Sequence, residues 1–97
     1  MIPVGQNTFV GLQAGNFTMG STAAAFIQSS YNTGIGYKVL NSNTVGNNNT
    51  ANGSLALYLN TSGGDNTANG SLALYSNISG LYNTANGSLA LYSNTSG

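Results

Sequence analysis

The 97-residue chain has no cysteine, histidine, arginine, glutamate or tryptophan, and it carries one charge of each sign, Lys38 and Asp65. Without cysteine there is no disulfide, and without cysteine or histidine no thiolate or imidazole metal site. Most of the side chains that enzymes use for proton transfer are missing, so neither catalysis nor a cofactor is expected. One cation cannot neutralise a row of phosphates or hold an anionic lipid surface, which argues against nucleic acid and membrane surfaces as partners. No apolar run approaches the ~20 residues needed to cross a bilayer, so no membrane insertion is expected. Residues Met1 to Gly5 lack the basic and apolar regions of a secretory leader.

What fills the chain instead is Asn, Ser, Thr and Gly, together more than half of it. Such a composition is compatible with disorder, but the usual companion of disorder, high net charge, is absent. Internal order argues against it more strongly. The segments NTANGSLALYLNTSG from Asn49, NTANGSLALYSNISG from Asn66 and NTANGSLALYSNTSG from Asn83 recur every 17 residues. Diverged copies begin at Asn32 (NTGIGYKVLNSNTVG) and Asn7 (NTFVGLQAGNFTMG). The spacing from Asn7 to Asn32 is 25 residues, which places an insertion of about eight near Ser21 to Ser30. Residues 1–31 thus read as a diverged N-terminal coil with an insertion, and 32–97 as four units starting at 32, 49, 66 and 83.

A fixed short period means a stacked array in which each unit buries its apolar face only against its neighbours. Seventeen residues is too short for the helical or leucine-rich units, and it suits one coil of an all-β solenoid, a β-helix or parallel β-roll. At ~3.3 Å per residue the circuit is roughly 55 Å around, and coils ~4.8 Å apart would make five of them about 24 Å tall. Gly11, Gly36, Gly53, Gly70 and Gly87 hold the fifth place of every unit and mark a structural corner. A second turn ends at Gly46, Gly63, Gly80 and Gly97. The third place (Phe9, Gly34, Ala51, Ala68, Ala85) and the eighth (Ala14, Val39, Ala56, Ala73, Ala90) hold apolar residues that are mostly small, which implies a narrow interior.

The Asn that opens each unit and the Thr that follows it (Thr8, Thr33, Thr50, Thr67, Thr84) should stack into columns, where amides and hydroxyls can bond from coil to coil. Leu40, Leu57, Leu74 and Leu91 are core or inter-chain contact candidates. The row Gln13, Lys38, Leu55, Leu72, Leu89 changes from polar to apolar along the chain. In GSLALY a strand would send Leu55 and Leu57 to one face, whereas a helical turn would put Ala56 and Leu57 inside together, and the pattern leaves both open. If the Leu rows and the row Tyr58, Tyr75, Tyr92 do not all fit one slim coil, one faces out as a stripe that another chain would cover. The last unit stops two residues short at Gly97 without a polar cap, which favours a longer array or self-association into a filament.

NTFVGLQAG (Asn7 to Gly15), NTGIGYKVL (Asn32 to Leu40) and the three NTANGSLALYxNxSG units resemble the NTxxGxxAL repeats of bacterial and phage tail-fibre-domain proteins. They are similar, more distantly, to the head repeats of trimeric autotransporter adhesins. The resemblance covers about nine tenths of the chain. It implies a homotrimeric fibre shaft on a virion tail or bacterial surface, extracellular and serving attachment to a host or surface. The chain lacks the self-cleaving C-terminal chaperone that such fibres often carry, and its last units have Ala-Asn where the family often has an apolar pair such as Phe9-Val10.

Two binding roles can be read from the rows. Tyr58, Tyr75 and Tyr92 could form a track for cell-surface glycans or simply a stacking ladder between coils. From a different class comes an ice-binding solenoid, with Thr50 and Asn52, Thr67 and Asn69, and Thr84 and Asn86 as two outward columns. The eight Asn-x-Ser/Thr sequons follow from composition, and the Gly pairs lack the lysine and the strand-to-helix setting of a phosphate loop.

Overall fold

A computed structural model of the protein describes residues 6–15 and 31–97. The described residues are all-β, with no helix: β1 (Thr8–Val10), β2 (Thr33–Ile35), β3 (Thr50–Asn52), β4 (Thr67–Asn69) and β5 (Thr84–Asn86). They form one parallel sheet in the order β1-β2-β3-β4-β5, with Thr opposite Thr at every step, from Thr8 and Thr33 to Thr67 and Thr84. This is a β-solenoid of 17-residue coils. The insertion around Ser21 to Ser30 lies outside the described residues.

Each strand is three residues long, so period-two alternation sends its first and third side chains outward and its second inward. Ala51, Ala68 and Ala85 are accordingly buried between exposed or half-exposed neighbours. On the opposite wall Val39, Leu40, Ala56, Leu57, Ala73 and Leu74 close the core, with Phe9, Ala14 and Ala90 packed partly against it. The expected narrow interior is thus two thin walls in contact.

The first coil fills the same space by a different division of volume. Phe9 stands at the third place, where the second coil has Gly34 and the last three have Ala, and Gly15 stands at the ninth, where all later coils have Leu. A Cβ on Gly15 would sit 2.6 Å from the Phe9 ring, and one on Gly34, stacked beside Phe9, 2.9 Å from it. The benzyl group therefore occupies room that Gly15 and Gly34 leave open. Interiors packed at near-crystalline density admit such an exchange only when both partners change.

The GSLALY segment is neither of the two forms left open by its pattern. Leu55, Leu72 and Leu89 have φ of 61°, 62° and 64°, and Leu57, Leu74 and Leu91 have 51°, 51° and 52°. Ala56 N–H closes a turn on Gly53 O at 3.2 Å, with Leu55 at the place where a type II turn requires positive φ. Asn60 N–H closes a second turn on Leu57 O at 3.2 Å. Between them the bonding reverses: Leu55 N–H reaches back to Tyr37 O at 2.9 Å, and Leu57 N–H reaches forward to Ala73 O at 3.0 Å. The result buries Ala56 and Leu57 together, leaves Leu55 half-buried, and separates the two Leu rows. A strand would have put both rows on one face. A further left-handed residue, Tyr31, Asn48, Asp65 or Tyr82, precedes the opening Asn of each of the last four coils.

Candidate functional site: amide ladders and exposed faces

The column of opening asparagines is buried. Asn49 donates from Nδ2 to Asn32 Oδ1 at 3.1 Å and to Gly63 O at 2.8 Å. Its own Oδ1 accepts from Asn66 N and Asn66 Nδ2, both at 3.1 Å. The same pattern joins Asn7 to Asn32 and Asn66 to Asn83. A second ladder runs through Asn43, Asn60, Asn77 and Asn94, with Nδ2-to-Oδ1 bonds of 2.7, 2.9 and 2.9 Å. Both ladders also donate to one glycine carbonyl per coil: Asn32 and Asn43 to Gly46 O, Asn49 and Asn60 to Gly63 O, and Asn66 and Asn77 to Gly80 O. Six of these asparagines are essentially inaccessible, yet no described buried side-chain polar atom lacks a partner.

The second ladder was hidden by composition, because its members sit in segments that look like ordinary polar turns. The signal that identifies it is invariance of Asn at the twelfth place of all four units from Asn32. The glycines beside it are fixed by space: a Cβ on Gly63 would collide with Asn60 Oδ1 and lie 2.6 Å from Gly80 O. Just before them, three successive N–H groups converge on one carbonyl. Thr44, Val45 and Gly46 donate to Thr61 O at 3.1, 3.1 and 3.2 Å, and Thr61, Ser62 and Gly63 donate to Ile78 O at 3.0, 3.1 and 3.1 Å. Such a concave set of amides suits an electron-rich oxygen, here the next coil's backbone.

The threonine column differs from its expected role. Coil-to-coil bonds beneath it are made by the backbone, Thr33 N–H to Asn49 O, Thr50 N–H to Asn66 O and Thr67 N–H to Asn83 O, each 2.8 Å. The hydroxyls that do bond between coils belong to another row, Thr44 Oγ1 to Thr61 O at 3.4 Å and Thr61 Oγ1 to Ile78 O at 3.2 Å. The second outward column is Val10, Ile35, Asn52, Asn69 and Asn86, where Asn69 Nδ2 donates to Asn86 Oδ1 at 3.0 Å.

Among the other sequence candidates, Gly11, Gly36, Gly53, Gly70 and Gly87 all have φ between 122° and 140°, as a corner requires. Leu40, Leu57 and Leu74 are fully buried, while Leu91 is 46% exposed. The Tyr58 and Tyr75 rings stack at 5.4 Å and 12°, and those of Tyr75 and Tyr92 at 5.1 Å and 7°. Both faces of Tyr75 are thereby covered by other tyrosines. Lys38 Nζ lies 5.3 Å from the centre of the Tyr37 ring, beside the first coils. Replacing Tyr75 by Ser should lower unfolding stability by ~1–3 kcal/mol, two aromatic pairs at ~0.5–1.5 kcal/mol each beyond area burial. Tyr92→Ser, which removes one contact rather than two, should cost less, and equal denaturation midpoints for the two variants would show that the stack contributes nothing of its own.

Comparison of the chain with protein-family models, with curated proteins and with solved structures finds no match.

Proposed function

We propose that the chain is a structural shaft, a repetitive segment of a fibre or adhesin that attaches a phage tail or a bacterial surface to its target. The observation that carries this reading is the direction of the bonding. Most described side-chain hydrogen bonds, and the backbone bonds outside the three-residue turns, join one coil to the next, at separations of 15 to 18 residues or, across the first coil, 24 to 28. A fold bonded this way extends by adding units and needs no closed core. The repeat resemblance to tail-fibre-domain proteins supports the same role, and an extracellular location goes with it.

Self-association is part of the proposal. The Leu55, Leu72 and Leu89 row and the Tyr58, Tyr75 and Tyr92 stack are each only partly buried within the chain. Packing of further copies on these rows would cover them, and the fibre reading makes that assembly a homotrimer. Glycan capture, the competing use of the tyrosine stack, would need unassembled chains and would fall to ring edges and hydroxyls, since the stacking uses the faces. Light scattering of the purified chain tests the assembly: a particle of three times the 9.8 kDa chain mass, or a filament, is expected. A stable monomer across the accessible concentration range overturns the trimeric shaft.

A further inference from the structure

From the sheet face we infer that the outward Thr and Asn columns form a binding surface for ice, the crystalline lattice of water itself. The inference does not depend on the shaft reading. The face consists of Thr8, Thr33, Thr50, Thr67 and Thr84 in one column and Val10, Ile35, Asn52, Asn69 and Asn86 in the other, all ten on the outward side of an unbroken parallel register. It carries no charge, as Lys38 and Asp65 lie outside the strands.

Three properties point to a lattice. The first is periodicity: side chains repeat at ~4.8 Å along the rod and at about twice ~3.3 Å across it, a two-dimensional grid on the scale of small-molecule crystals. The second is availability. The sheet beneath is held by backbone bonds, so the Thr hydroxyls are left to face water. The third is rigidity. A β-branched side chain on a strand has a restricted χ1, and the Asn69 to Asn86 bond fixes amides in the neighbouring column. A grid of fixed hydroxyls and amides, interleaved with Thr methyls and the apolar Val10 and Ile35, can hold an ordered water layer without competing charge-bound water.

The same observations separate ice from a crystalline polysaccharide. Sugar planes are recognised by open aromatic faces, and this sheet face has no aromatic residue in either outward column. The tyrosines that stack do so elsewhere on the coil and against one another.

The test uses the full chain in nanolitre osmometry and in partition of the fluorescently labelled protein into a growing ice hemisphere. Concentration-dependent thermal hysteresis and uptake into the ice are expected. Thr50→Lys should abolish both with the circular dichroism spectrum unchanged, whereas Ser93→Lys, about half a circuit away, should leave both intact. Should Thr50→Lys not fold, Asn52→Lys places the same charge on the second column and should give the same loss. A native chain that shows no hysteresis and is excluded from ice overturns the inference, as does equal loss from Ser93→Lys. Retention on crystalline cellulose without any effect on ice would instead assign the face to carbohydrate. None of these outcomes alters the oligomeric state, so the shaft reading stands or falls separately.

Discussion

Asn49→Leu should come close to unfolding the protein, although it replaces a polar residue with an apolar one of similar size inside the core. Removing Oδ1 strips Asn66 of the acceptor for its backbone N–H and for one side-chain N–H, both sealed from water. Removing Nδ2 takes one of two donors from Gly63 O. Two orphaned donors at ~1–3 kcal/mol each give ~2–6 kcal/mol, set against a total stability of ~5–15 kcal/mol for a typical domain. Asn52→Leu, on the exposed side of β3 three residues on, should change little. Chemical denaturation followed by circular dichroism decides the matter, and similar midpoints for the two variants would refute the ladder as a source of stability.

Gly70→Ala should be of comparable severity for a different reason. Gly70 has φ of 133°, which costs an L-residue on the order of 1–3 kcal/mol, and a Cβ there would also lie 2.5 Å from the carbonyl carbon and oxygen of Gly87. Since that carbonyl belongs to the next coil, relief requires the coils to part along the whole corner. Gly87→Ala separates the two costs. Its φ is 122°, but no atom lies within 4 Å of the added Cβ. Gly87→Ala should therefore show the backbone penalty alone, and a midpoint as low as that of Gly70→Ala would mean that contact between coils is not what the glycine protects.

The coil period, the glycine corner, the small third and eighth places and the column of opening asparagines could all be read from the residues, because a repeat forces identical side chains into register. The path of GSLALY could not. Leu has no preference for positive φ, and a left-handed Leu is disfavoured on its own. It is adopted twice per coil because the turns at Leu55 and Leu57 let the backbone bond to the coils on both sides, an effect beyond the reach of local propensity. The hydroxyl column departs from its expected role for a related reason. The backbone beneath Thr33, Thr50 and Thr67 already makes the inter-coil bonds, so the side chains have no need to. The exchange of volume between Phe9 and Gly15 likewise becomes visible only once their places are known to face one another.

The two buried amide rows give the rod an electrical direction. Nδ2 must face the glycine carbonyls, which can only accept, so no amide can be turned around. In both rows the later asparagine donates to the earlier one at every step. The side-chain dipoles therefore add and polarise one another along the axis, while the exposed Asn69 to Asn86 bond runs in the opposite sense. A molecule with formal net charge of +0 thus carries a permanent axial moment. Rods brought end to end would feel it as a preference for head to tail, and the parallel rods of a trimer as a repulsion that the apolar rows they bury must outweigh.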